Sequence, residues 1–235
     1  MLVGLAVLVV VLLAAFSSSP SRLHSATPAG SSRLLPAGPP RGHRLLALQD
    51  NVQLELPIQA ARVTAIGYHP AGGSALALTP QGPQVNEGLF ARFFHRVFGG
   101  GKHGLPWYQL GGSGGGPATG AVDVGARIGT AVYTPAAGTV ISIRGTVIDG
   151  KRYGDVIRIQ PSGSPTEAPA VVVSVSHLRA DPSLTVGALV TPGVTKLGWV
   201  IDFSRVEQQA LSKYTQDAGN HVTIDVESAT SSGLS

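Results

Sequence analysis

The distribution of glycine and proline is the feature that most limits how this chain folds. There are 31 glycines and 17 prolines in 235 residues. Inside a helix, glycine costs about 1 kcal/mol and proline about 3 kcal/mol relative to alanine. From residue 119 onward, short runs of alternating apolar residues are cut by turn residues: "AVYTP", "GTVISIRGTVIDG", "GDVIRIQ", "AVVVSVSHL" and "NHVTIDVE". This pattern predicts strands joined by turns, at the spacing of a β-sandwich or barrel. With 43% hydrophobic residues, such strands have enough apolar side chains for a core. The expected fold class is all-β.

The last of these strands, in "DAGNHVTIDVE", is the most informative. Side chains at i and i+2 of a strand share a face. Val222, Ile224 and Val226 are therefore expected to enter the core. His221, Thr223 and Asp225 are expected to face outward or line a groove.

Charge and cysteine content narrow the function. Arg22, Arg33, Arg41 and Arg44 precede the first acid, Asp50, and from Asp50 onward 13 basic residues balance 13 acidic ones. The net charge of +4 thus belongs to the N-terminal tail. No basic patch with interleaved aromatics is seen, which argues against nucleic acid as a partner. The absence of cysteine excludes disulfide frameworks and thiolate metal sites.

Five segments are expected. Residues 1–20 open with "MLVGLAVLVVVLLAAF", an apolar run of 16. At ~1.5 Å per residue it covers about 24 Å, short of the ~30 Å bilayer core but suited to a signal-peptide core. No Lys or Arg precedes it, so the alternative is an uncleaved membrane anchor. Either way the chain is expected to be exported: secreted, or held at the cytoplasmic membrane. Residues 21–45 are a Ser/Pro/Gly linker. Residues 46–100 carry a β-segment and one helix, with an apolar stripe of Leu89, Phe90, Phe93, Phe94 and Val97 and with Asn86 as N-cap. Residues 101–118 are a glycine-rich connector whose Trp107 and Tyr108 are expected to dock it. Residues 119–228 form the main β-domain. His69 reads as a turn or surface residue, and His103 as exposed.

Five segments of that domain, in order, resemble the LytM or lysostaphin-type zinc endopeptidase domain, a barrel-sandwich hybrid acting on peptidoglycan. "AVDVGARIGTAVYTPAAGTVISI" is similar to the family's opening strand and G-T-x-V hairpin. "YGDVIRI", "SVSHL", "LTVGALVTPGVTKLG" and "GNHVTIDVE" resemble the strands that follow, ending at its H-x-H motif. The family holds zinc with the histidine and aspartate of H-x-x-x-D and the second histidine of H-x-H. Two further histidines assist the attacking water. By this resemblance Asp123 keeps its metal position, and His177 and His221 keep the two assisting positions. Thr119 and Thr223 stand where the other two ligands belong.

Zinc takes Cys, His, Asp and Glu; a neutral hydroxyl is a poor donor beside them. The resemblance therefore implies a catalytically degenerate member with no metal cofactor and with His177 and His221 vestigial. Its role would be to bind peptidoglycan or a cell-wall hydrolase or division partner. The alternative is an active zinc endopeptidase with a rearranged site, for example one built from Asp123, His177 and His221.

Overall fold

The computed structural model describes residues 44–87, 104–163 and 170–229. The apolar leader, nearly all of the linker, the helix expected from Gly88 onward and His103 lie outside the described residues.

The described chain is all-β, as the turn spacing predicts. The strands are β1 (Leu45–Gln49), β2 (Val52–Glu55), β3 (Val63–His69), β4 (Thr79–Pro80), β5 (Tyr108–Gln109), β6 (Ala121–Ala126) and β7 (Ala131–Tyr133). They continue as β8 (Gly138–Ile148), β9 (Lys151–Pro161), β10 (Val171–Ala180), β11 (Leu189–Val190), β12 (Lys196–Val200) and β13 (His221–Ser228). Two single 3-10 turns, Ala60–Arg62 and Ala210–Tyr214, are the helical elements among the described residues. No helix among them is long and apolar enough to cross a membrane.

The main sheet runs β11-β8-β9-β10-β13-β6-β3-β5, with β12 bridging β10 and β7. A smaller sheet, β2-β1-β4, contains the alternating segment "NVQLELPI". Its Val52, Leu54, Leu56 and Ile58 are all buried, and β2 is an edge strand, where the following Pro57 is tolerated. The β8-β9 hairpin turns through Asp149 and Gly150 at φ 48° and 75°. Left-handed conformations at both residues are what a two-residue hairpin of matching twist requires.

Register converts alternation into rows of side chains across the main sheet. Tyr68, Val122, Ile224, Val175 and Ile157 are successive partners across β3, β6, β13, β10 and β9. All five are at most 1% exposed, so this row is the spine of the core. The next row on the opposite face reads Gly67, Asp123, Thr223 and Ser176. The expectation for β13 holds: Val222, Ile224 and Val226 are fully buried in the core. Its polar face is covered as well, since His221 is 5% exposed and Thr223 8%.

The aromatic island before β6 docks its connector. Trp107 packs edge-on against Tyr68 at 5.0 Å and donates its indole N–H to Gly82 O at 3.1 Å. Tyr108 stacks on Tyr214 at 4.2 Å.

Truncating the spine at its centre should be severe. Ile224→Ala is expected to lower stability by about 2–5 kcal/mol. Urea denaturation would show this as a lower midpoint at unchanged slope, whereas Lys151→Ala at the exposed hairpin end should leave the midpoint in place.

Candidate functional site

The polar row of the main sheet converges on Asp123. Its neighbours Val122 and Val124 point into the core, so alternation sends the Asp123 side chain to the other face of β6, where it is also buried. A buried carboxylate must be hydrogen-bonded and charge-compensated. Thr223, its direct partner across the β6–β13 ladder, donates Oγ1–H to Asp123 Oδ1 at 2.7 Å. His69, at the end of β3, places Nε2 at 3.2 Å from the same oxygen. His221 Nε2 lies 3.4 Å from it.

The protons in this cluster can be assigned from what each atom is able to do. A carbonyl oxygen only accepts, and so does an ionised carboxylate. His69 Nδ1 therefore donates to Pro70 O at 2.8 Å, and its Nε2 donates to Asp123. Two donating nitrogens make His69 an imidazolium. The hydrogen bond to Asp123 raises its pKa to about 9, against the opposing effect of burial. Burial alone would raise the Asp123 carboxyl, but His221 and His69 beside it and the Thr223 hydroxyl hold it below its ordinary value. His221 Nδ1 donates to Gly219 O at 2.8 Å, which fixes that ring at the start of β13.

His177 reaches the cluster through an irregularity in β10. Val175 pairs with Ile157 of β9, whereas Leu178 pairs with Asp155, so β10 carries one extra residue there. His177 accordingly has φ 61°, in the left-handed region. A non-glycine residue is uncommon there, and holding one costs about 1–3 kcal/mol. The bulge shifts the phase of the strand. Ser176 pairs with Thr223, His177 turns to the same side, and Leu178 returns to the core. The imidazole then lies against Phe203 at 4.3 Å and meets His221 edge-on at 5.1 Å. Burial, followed by the charge of His221, lowers its pKa to about 4, so the ring is neutral at physiological pH.

The structure thus gathers Asp123, His177, His221 and Thr223, four of the five residues singled out from sequence. Thr119 is engaged elsewhere. Its Oγ1 donates to Leu78 O at 2.7 Å while its own carbonyl accepts from Leu78 N–H at 3.0 Å, which pins the loop ahead of β6. The reading of His69 as a turn or surface residue is corrected. It belongs to β3, its side chain is 24% exposed, and it is the cationic partner of Asp123. The signal that carries it is the β3–β6 register, which sets Gly67 opposite Asp123 and His69 one residue pair further on, opposite Ala121. Asn220 was also missed. Its Oδ1 accepts from the N–H groups of Phe203 and Ser204, at 3.0 and 3.2 Å, and so holds Phe203 over His177.

The two threonines do not offer the zinc ligands that the resembled family carries at their positions. Thr223 directs its proton at the carboxylate oxygen a metal would need, and Thr119 is turned to the backbone of Leu78. Among the described residues, no group of three or more His, Cys, Asp or Glu side chains is arranged to hold a metal ion. Asp123 is paired with the imidazolium of His69.

No family model matches this chain, and no curated protein matches it. Among solved structures it is similar to lysostaphin, at 16% identity and a TM-score of 0.33, covering 46% of this chain and 36% of that one. It is similar to pseudoalterin, an M23 metalloprotease from the deep sea, at 15% identity and a TM-score of 0.36, covering 74% and 70%. It is similar to Csd3 of Helicobacter pylori at 13% identity and a TM-score of 0.31, covering 77% and 35%. The chain therefore spans little more than a third of lysostaphin and of Csd3. At scores of this size the fold and the site stand on strand order and side-chain contacts alone.

The His69–Asp123 pair should be visible in the pH dependence of stability. The pKa of His69 is raised from 6.5 to about 9 on folding. Its contribution is therefore complete below pH ~6.5 and lost as pH rises through ~9. Asp225, raised to about 7 by burial and then by Glu227, titrates mainly below pH ~8. Wild-type stability is expected to go on falling between pH ~8 and ~9, and His69→Gln should flatten that part of the slope in denaturant titrations.

Proposed function

We propose that this chain is a non-hydrolytic, LytM-like recognition domain of the cell envelope. It binds peptidoglycan, or a cell-wall hydrolase or division partner, in the groove along β10 and β13. The observation that carries this reading is the Thr223 hydroxyl at 2.7 Å from Asp123 Oδ1. A proton donor occupies the carboxylate where the family's second ligand histidine would share a metal. An imidazolium from His69 supplies the compensating charge. With no metal-activated water, the groove keeps its recognition surface and lacks a nucleophile.

The ligand class and the extracytoplasmic location are supported by the ordered resemblance across residues 119–227 and by the apolar N-terminal run. Fold-level analogy is the only warrant for the ligand class, so the test must be direct.

The purified full chain is expected to sediment with insoluble peptidoglycan at low salt, to contain no stoichiometric divalent metal, and to leave cross-bridges intact. Stoichiometric zinc that depends on His69 and His221, with cleavage abolished by His177→Ala, would establish a rebuilt peptidase centre and overturn the proposal. Failure to sediment with peptidoglycan would leave the protein-partner form of the proposal, to be tested by crosslinking to cell-wall hydrolases. Failure of both would mark a purely structural envelope domain.

A further inference from the structure

The contacts of His177 define a second feature of the groove, one that concerns the direction of a hydrogen bond. His177 Nδ1 lies 3.0 Å from Thr223 Oγ1, and Thr223 Oγ1 lies 2.7 Å from Asp123 Oδ1. A hydroxyl has one proton and two lone pairs. Asp123 already takes Nε2–H of His69 at 3.2 Å, and an ionised carboxylate only accepts. The Thr223 proton is therefore committed to Asp123, and the Thr223 oxygen is left to accept. Among the described residues the donor facing it is His177 Nδ1–H. The opposite tautomer would set two lone pairs against each other at 3.0 Å.

We propose that Thr223 is a positioning residue that relays the polarity of Asp123 to His177. It fixes the Nδ1–H tautomer, so that His177 Nε2 presents a lone pair to an N–H donor of the bound peptide.

Three further observations support the assignment. No partner of His177 Nε2 is found among the described residues, and the residue is half-buried rather than sealed. The ring cannot easily turn over, being held between Phe203 at 4.3 Å and His221 at 5.1 Å. The β10 bulge, with His177 at φ 61°, is a strained backbone maintained at the one residue whose ring it aims into the groove. Strain kept at a single polar side chain is a recurrent mark of sites that contact ligand. The neutral state of the ring is secured by burial and by the neighbouring His221.

The ligand chemistry follows from the sign of the acceptor. A neutral imidazole lone pair accepts from amide N–H or from an amine, and gives a carbonyl or carboxylate nothing to bond. The choice of a peptide as ligand rests on the function proposed above; the tautomer does not.

The test is nitrogen-15 NMR on the full chain with labelled histidine at neutral pH. In the free protein, His177 Nε2 should resonate as an unprotonated ring nitrogen and Nδ1 as a protonated one. Thr223→Ser keeps the hydroxyl and should keep both signals, whereas Thr223→Val should produce a mixture of tautomers. A soluble muropeptide digest added to the wild type should shift the Nε2 resonance toward the hydrogen-bonded range and leave Nδ1 in place. Thr223→Val should weaken muropeptide binding at least fivefold, and Thr223→Ser by less than twofold. A protonated Nε2 in the free protein, or a Thr223→Val spectrum identical to wild type, overturns the relay. Binding that leaves Nε2 unmoved overturns its role as the ligand acceptor. Absence of any muropeptide binding overturns the ligand class together with the peptidoglycan form of the proposed function, while the free-protein spectrum still decides the relay.

Discussion

A carboxylate with no access to bulk water must find its counter-charge within the protein, and Asp123 sets that condition at the middle of the main sheet. The residues around it are arranged to meet this demand. Thr223 is its cross-strand partner, His69 arrives from the adjacent strand on the other side, and His221 lies at the same oxygen. Removing one partner of a buried charged pair generally costs about 3–5 kcal/mol, because the other charge is stranded. The geometry of the cluster and folding stability are thus coupled at one oxygen atom. A substitution in the cluster acts on both, which is why the variants that best separate them, Thr223→Ser against Thr223→Val, change one hydroxyl and little volume.

Much of the fold was legible in the chain because period-two alternation is a local signal. The inward faces of β13 and of the segment around β2, the Asp149-Gly150 hairpin turn and the docking of Trp107 could each be read from a handful of adjacent residues. Asp123, His177, His221 and Thr223, singled out through the family resemblance, lie together. The place of His69 was not legible. It depends on the register between β3 and β6, whose paired residues lie more than 50 positions apart. A slip of one residue would send His69 to the opposite face, and no short-range pattern forbids that slip. The hydrogen-bond partner of Thr119 was not legible for a related reason. Its backbone and side chain both engage Leu78, a partner 41 residues away.

The cluster also shows how protons shared among several elements can compensate a buried carboxylate. A protonated imidazole and a hydroxyl hydrogen together supply positive charge on the carboxylate, with geometry set by two backbone carbonyls, Pro70 O and Gly219 O. Imidazoles that ligate metals commonly use the same second bond to a carbonyl to fix their orientation.

The extra residue in β10 has an implication for how such a chain is able to vary. Upstream of it the odd-numbered Val171, Val173 and Val175 enter the main core; beyond it the even-numbered Leu178 does. The two stretches are out of step by one, and the insertion joins them. Removing a single amino acid at this point would bring the parity into line, and it would also turn Leu178 outward or drag Val175 out of the interior. Length at this spot is therefore a quantity the fold counts. Neighbouring positions can exchange side chains freely, within limits of size, while the number of residues between Val175 and Leu178 stays fixed.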